Sequence, residues 1–319
     1  MRREKRFRVI GQVGLLLLSL LLISFAVFVL SAYSSGDMSL YILGENARAE
    51  NHERLSAELG YERPLILRYI EFLRDFITLN WGATIHGYDL RSLIGSRIFV
   101  TLEIMLLTLL LSIPFSYALS CLAVGKRGGL IDRLSRLFII IFFSMPSFAI
   151  AIMLMLIFSF HLSIFPISGF TPLGISIAEN LSSIFLPSLT LALMHSSLFI
   201  RVLKKSLSRE IASVYATSAR ARGESELEII LHEALKPASF PLIALSSSAA
   251  ASLFAGSAVV ETVFSIPGLG SLAVSASLER DTYTLSIIIM MIAFFTFLTS
   301  ASSRILLSFL DPMKGRGHG

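Results

Sequence analysis

Long apolar runs alternate with shorter polar segments along the chain. Runs long enough to cross roughly 30 Å of hydrocarbon, about 20 residues each, occur near 9–32, 97–123, 137–160, 184–203, 241–264 and 284–310. They predict an all-α integral membrane protein with six transmembrane helices. The fourth run is the shortest. The fifth contains Ser246, Ser247, Ser248, Ala249, Ala250 and Ala251, small residues that let helix backbones approach closely, so it is expected to pack inside the bundle.

Basic residues orient these spans, because short cytoplasmic segments carry an excess of Lys and Arg. The start holds Arg2, Arg3, Lys5, Arg6 and Arg8, and the segment between spans two and three holds Lys126, Arg127, Arg133 and Arg136. After span four come Arg201, Lys204, Lys205, Arg209, Arg220, Arg222 and Lys236, and the tail carries Lys314 and Arg316. The segments 161–183 and 265–283 contain Arg280 as their one basic residue. The expected plan is a cytoplasmic tail 1–8, a first transmembrane helix 9–32 and an extracytoplasmic segment 33–96. A five-helix core over 97–310, including a cytoplasmic loop 204–240, and a cytoplasmic tail 311–319 complete it. A cleavable signal peptide, with Ala32-Tyr33-Ser34 as its processing site, is disfavoured because the apolar run from Val9 past Val29 exceeds a usual h-region. Between 50 and 79 the pattern turns helical and amphipathic. Leu55, Leu59, Leu65, Tyr69, Phe72, Leu73 and Phe76 share one side, interrupted at Pro64. Such a helix suits a cap on the outer membrane surface or a platform for an external partner.

Composition narrows the function. Of 319 residues 15% are charged and 54% hydrophobic, and mean hydropathy is +0.76. These values exclude a water-soluble enzyme, a disordered chain and a collagen-like one. The net charge of +5 sits in clusters beside apolar segments, a membrane pattern and not a nucleic-acid one. Cys121, the one cysteine, can form no internal disulfide. The chain has no GxxxxGK[ST], HExxH or GxSxG sequence; Gly125-Lys126-Arg127 lacks the glycine and hydroxyl of a phosphate loop. The histidines at 52, 86, 161, 195, 232 and 318 are scattered. No catalytic site, metal site or bound cofactor is therefore expected.

Two carboxylates fall within apolar spans, Glu103 in the second and Glu261 near the outer end of the fifth. A central carboxylate costs about 2.5–3.5 kcal/mol on insertion scales. Each should therefore form a helix-packing hydrogen bond or contact cargo. No further ionisable residues accompany them, and no inverted repeat is evident, so an ion-coupled carrier has little support.

The segment from Ser206 to Pro241 is long, polar and patterned. It predicts a helix over 207–221 stopping at Gly223, then a second helix opened by a capping box between Ser225 and Glu228 and ending before Pro237. Leu227, Ile230, Leu231, Ala234 and Leu235 form an apolar stripe on that second helix. The stripe either meets another protein or folds back on the bundle.

The run Tyr215-Ala216-Thr217-Ser218-Ala219-Arg220-Ala221-Arg222-Gly223-Glu224-Ser225-Glu226, with His232-Glu233-Ala234-Leu235-Lys236-Pro237-Ala238 and Pro241, resembles the cytoplasmic "EAA" loop of ABC importer permeases, in the version of the dipeptide/oligopeptide/nickel family. Further segments match in order: Tyr61–Leu65, Thr101-Leu102-Glu103, Ser144-Met145-Pro146-Ser147-Phe148, Phe165–Gly169, Leu186–Ala192, Val260–Gly270 and Asp311-Pro312. Val214 departs from the acidic residue usual before the tyrosine, Thr217 and Ser218 replace Glu and Ala, and Leu79-Asn80-Trp81-Gly82 differs from the common Gly-Asp-x-Gly.

The resemblance implies a type I ABC importer permease fold and the first of two permease types, in a bacterial or archaeal cytoplasmic membrane. Implied partners are a homologous second permease, two cytoplasmic ATPases that bind ATP and magnesium, an external solute-binding protein and membrane lipid, with no nucleic acid. It implies ATPase coupling through Tyr215, Thr217, Ala219, Arg220, Arg222, Gly223, Glu224 and His232. Gly223 would permit the turn, Ala219 a close approach, and Arg220, Arg222 and Glu224 polar contacts at the rim. Translocation-path candidates are Glu103, Ser144, Pro146 and Glu261. The expected cargo is a di- or oligopeptide, with a nickel chelate as the alternative. An ATP-independent carrier or channel, and a non-transporting scaffold, are the rival classes.

Overall fold

The structure, a computed structural model, describes residues 14, 18–19, 21–29 and 63–310, with the backbone alone at 246–248, 250, 251, 255 and 304–310. In chain order its helices are α1 over 21–29, α2 Leu65–Ile77, α3 Leu90–Gly125, α4 Leu130–Ser144, α5 Ser147–Leu154 extended by a π-helical stretch Met155–His161, and α6 Ile177–Glu210. There follow α7 Val214–Ala221, α8 Glu226–Ile229 extended by the π-helical Ile230–Ala234, α9 Leu235–Val263, α10 Leu269–Leu278 and α11 Thr282–Leu310. Among the described residues strand-like pairing is confined to an isolated bridge between Ala83 and Asp89.

Among the described residues three helices are long and apolar enough to cross a membrane: α3, α6 and the Thr282–Ser303 part of α11. A fourth crossing results if α4 and α5 form one bent span. The run expected as a single span over 137–160 is broken, its halves meeting at 110°. Pro146 explains the break: it pushes the preceding residue out of the helical region, and Met145 is extended at φ −82, ψ 134. The fifth run lies in the unbroken 29-residue α9. Most of the first run, the segment 33–62 with Leu55 and Leu59, and the tail 311–319 lie outside the described residues.

Two compact units divide the chain. One comprises 1–99 and 271–297, the other 100–270 and 298–319. In the first, α2 buries the face that the periodicity picked out, Leu65, Tyr69, Phe72, Leu73 and Phe76, at least in part. Tyr69 stacks edge-on against Phe25, and its hydroxyl pairs with Ser24 Oγ at 2.6 Å. Phe72 packs on Phe28 and Tyr283. Helix α3 starts at Leu90, well before its apolar run, because Asp89 Oδ2 accepts from the Ser92 amide at 2.9 Å and so caps the end. Asp281 does the same for α11, accepting from the Thr284 amide at 3.0 Å.

The second unit is organised around α6. Its apolar run is the shortest, yet α6 is the most buried of these three membrane-length helices. Among its buried side chains, beside large apolar ones such as Leu191 and Ile200, are the small polar Ser188, Thr190, Ser196 and Ser197. The seam with α3 is a reciprocal pair of bonds, Thr108 Oγ1 to the Ser188 carbonyl at 3.3 Å and Ser188 Oγ to the Ile104 carbonyl at 3.2 Å. Small hydroxyl residues thus both allow close approach and join the helices. Helix α9 packs along α6, where a Cβ on Gly256 would stand only 3.1 Å from Leu191 Cδ2. Ala249 of the small-residue run is buried with Phe199 and Leu242, in line with an interior place for this span.

Candidate functional site

The polar segment after α6 folds as two short helices. Helix α6 stops at Glu210, and Ser213 opens α7, its side chain accepting from the Ala216 amide at 3.4 Å. The single helix expected over 207–221 is therefore two, divided by a serine cap. The end of α7 is a Schellman motif: the Glu224 amide donates to Ala219 O at 3.2 Å and the Gly223 amide to Arg220 O at 2.9 Å. Gly223 sits at φ +88, where a residue with a Cβ is strained. Two residues later the predicted capping box closes. The Glu228 amide donates to Ser225 Oγ at 3.3 Å, and the Ser225 amide to Glu228 Oε2 at 2.8 Å.

Ala216 and Ala219 of α7 pack on Ile229 of α8, all three buried. The close approach that Ala219 permits is thus, within this chain, to its own partner helix. Arg220 donates from Nη2 to the Ile211 carbonyl and to Glu226 Oε2, each at 3.0 Å, and its Nε also donates to Glu226. That guanidinium holds the Glu226 carboxyl below its ordinary range, and the Ser225 amide and hydroxyl do the same for Glu228. Arg222 pairs with Glu224 at 2.7 Å. The residues expected at a contact rim thus also brace the helix pair. Tyr215, Thr217 and His232 are exposed. So is Val214, at 79% against 71% for Tyr215, a contact candidate that sequence reasoning had registered only as a departure.

Helix α8 does not end before Pro237. It passes through the π-helical Ile230–Ala234 into α9, and Pro237 falls just after that stretch, where the hydrogen-bond pattern changes from π to α. The apolar stripe divides accordingly. Ile230 and Ala234 are buried against Cys121, Val124, Leu203, Leu207, Ile211 and Ala238, with Leu235 partly buried beside them. Leu227 and Leu231 stay exposed. Together with Val214 and Tyr215 they leave apolar side chains on the outer faces of both short helices.

A buried ionic clamp sits nearby. Lys204 of α6 donates to Asp132 Oδ1 at 2.7 Å and to Ser135 Oγ at 2.6 Å in α4. Asp132 Oδ2 also takes the Gly128 amide at 3.1 Å and pairs with Arg136 at 3.0 Å. Arg127 Nη2 reaches the Ser208 carbonyl at 3.0 Å. The start of α4 is thereby tied to the last turns of α6.

The path candidates occupy separate settings. Glu261 is fully buried; Thr101 Oγ1 donates to its Oε1 at 2.7 Å and accepts from the Leu269 amide at 2.8 Å. Its carboxylate lies where a Cβ on Gly268 would have to be. It therefore braces the loop between α9 and α10. Glu103 accepts from Asn180 Nδ2 at 3.0 Å. Ser144 and Pro146 are exposed at the α4–α5 break, and no hydrogen bond among the described residues joins them to either carboxylate.

Similarity to known proteins identifies the family. Residues 116–315 match the family model described as the binding-protein-dependent transport system inner membrane component. A protein of Sinorhizobium fredii described as a probable peptide ABC transporter permease is 27% identical over 287 residues, covering 90% of this chain and 92% of the relative. A dipeptide transport system permease protein of Lactococcus lactis is 26% identical over 275 residues, 86% of this chain and 87% of the relative. With the family model spanning well over half of its residues, the chain belongs to the inner membrane components of binding-protein-dependent transport systems.

Proposed function

We propose that this chain is one of two permease subunits of an ATP-driven peptide importer with a six-span type I permease fold and both termini in the cytoplasm. A homologous permease would complete the pathway, two cytoplasmic ATPases would hold ATP and magnesium, and an external binding protein would deliver the peptide. The names of the relatives favour peptide over a nickel chelate.

The observation that carries the coupling role is the α7–α8 pair. Its inner side is locked by Ala216, Ala219, Ile229 and the Arg220–Glu226 pair, while Val214, Tyr215, Leu227 and Leu231 remain exposed. An exposed apolar patch of this kind suits docking to another protein. Seated in an ATPase, the pair would move as the ATPases close. Helix α8 runs without interruption into α9, and α7 follows α6 after a turn of three residues, Ile211–Ser213. Displacement would therefore reach both long helices, and through Lys204 and Asp132 also α4. The consequence is alternating exposure of the pathway to the two sides.

Gly223→Trp tests this reading. A Cβ at Gly223 meets no atom within 4 Å, so the side chain projects outward and membrane insertion should persist. Uptake and peptide-stimulated ATP hydrolysis in reconstituted complex should disappear. Normal uptake by this variant overturns the coupling role.

A further inference from the structure

Glu103 is a half-buried carboxylate on the face of α3 that also presents Leu106 and Leu110, both 61% exposed. Among the described residues no lysine, arginine or histidine forms an ion pair with it, and its one hydrogen-bond partner is Asn180 Nδ2. Asn180 is itself fully buried on α6, and the same Nδ2 donates to the Thr171 carbonyl at 2.9 Å. Both of those partners are acceptors, so the amide cannot be turned over without facing oxygen against oxygen. Its Oδ1 is left buried with no donor. A carboxylate on α3 and an amide oxygen on α6 thus lie on neighbouring side chains with unused acceptor capacity. The complementary group is a cation with several N–H donors.

A cleft of about 360 Å³ lies beside Asn180, lined by residues that hold it and not by Glu103 or Asn180 themselves. Thr171 and Ser183 line it together with Ser168, Glu179 and Ser182. The same Thr171 holds Asn180 through its carbonyl, and Ser183 Oγ donates to the Asn180 backbone carbonyl at 2.7 Å. Hydroxyls of this kind suit a peptide main chain.

We propose that Glu103, oriented by Asn180, binds the α-ammonium group of the peptide cargo. The proposal rests on the peptide-import reading. A pathway that must pass many side chains can rely on few constant features, and the terminal ammonium is the one constant cation that unmodified peptides share. A half-buried carboxylate reads that charge strongly, because charge-assisted bonds gain where solvent screening is reduced.

The test uses the complete transporter, with its second permease, ATPases and binding protein, reconstituted in proteoliposomes. Uptake of trialanine is compared with that of N-acetyl-trialanine, each loaded on the binding protein to saturation. Glu103→Gln keeps the shape and the acceptor for Asn180 but removes the charge. It should slow trialanine roughly tenfold, the worth of one charge-assisted hydrogen bond, and erase most of the preference over the acetylated peptide. Glu103→Asp should restore part of that preference, which a packing role would not. An unchanged preference in Glu103→Gln overturns the proposal. Loss of the second permease from the purified Glu103→Gln complex also overturns it, assigning the carboxylate to pairing between subunits. A wild-type complex that moves neither peptide overturns the peptide reading, and this proposal with it.

Discussion

Gly223 and Gly268 answer to opposite constraints. At Gly223 space is open and the backbone is the limit: φ is +88 and no atom would meet a Cβ within 4 Å. Gly223→Ala should therefore cost only the strain of a left-handed residue, about 1–2 kcal/mol, and unfold the α7–α8 turn locally. Amide hydrogen exchange over 219–226 measures it. At Gly268 space is the limit, since a Cβ would overlap the Glu261 carboxylate. Gly268→Ala should lower the stability of the purified protein by about 1–3 kcal/mol, the usual cost of overpacking. In the double variant Glu261→Ala/Gly268→Ala the clash has no partner, so the combined loss in thermal unfolding should be smaller than the sum of the single losses. Strict additivity would refute the steric account. The turn at Gly223 is legible in the sequence, but the steric limit at Gly268 is not, because it is set by where the Glu261 carboxylate packs. Glu261 is a related case. The sequence identifies a carboxylate near a span end, but Thr101, its partner, is 160 residues away.

Short-range signals were legible at the scale of elements, and long-range ones were not. The Ser225–Glu228 box, the Gly223 stop and the buried face of α2 could each be read because cap, turn and amphipathic face are set within a few residues. The division of α6 from α7 at Ser213 was missed, since a serine inside a long helical pattern reads equally well as an interior position. The passage of α8 into α9 is hidden by Pro237, which reads as a stop until the π-helical stretch before it is known. Charge governs two further predictions. Glu226 has its carboxyl lowered from about 4.5 by Arg220, so its stabilisation is complete above that value and fades as pH falls through the lower folded value. Protection of the α7–α8 amides, corrected for intrinsic exchange, should drop below pH 4.5 in the wild type. The drop should be smaller in Glu226→Gln. At the other clamp, Asp132→Ala takes the carboxylate from Lys204, whose side chain is 15% exposed in the intact pair. The loss should approach, without reaching, the ~3–5 kcal/mol of a fully buried broken pair. Because α4 is then released from α6, ATP hydrolysis should outlast uptake in the reconstituted complex. Equal loss of both activities would count against transmission through this clamp.

For the whole molecule, the distribution of basic residues makes a claim that geometry alone does not. By the rule that Lys and Arg collect on the cytoplasmic side, 126–136 and 204–240 would face the cytoplasm and 161–183 the outside. Cys121 is the one cysteine and is buried, so a Cys121→Ala background suits labelling by an impermeant maleimide. Single cysteines at Arg133 and Glu224 should react only after the membrane is opened, and one at Leu173 should react in intact cells. Leu173 is 50% exposed and Glu224 half-buried, so neither result depends on local unfolding. Reactivity of Glu224→Cys in intact cells would put the α7–α8 pair on the wrong side for any cytoplasmic ATPase. The coupling role, and with it the route from α8 through α9, would then fall together. This dependence follows from continuity of the chain: the same helix that presents Leu227 and Leu231 outward buries Ile230 and Ala234 against the ends of α3 and α6, so whatever grips its exposed side acts on the bundle directly.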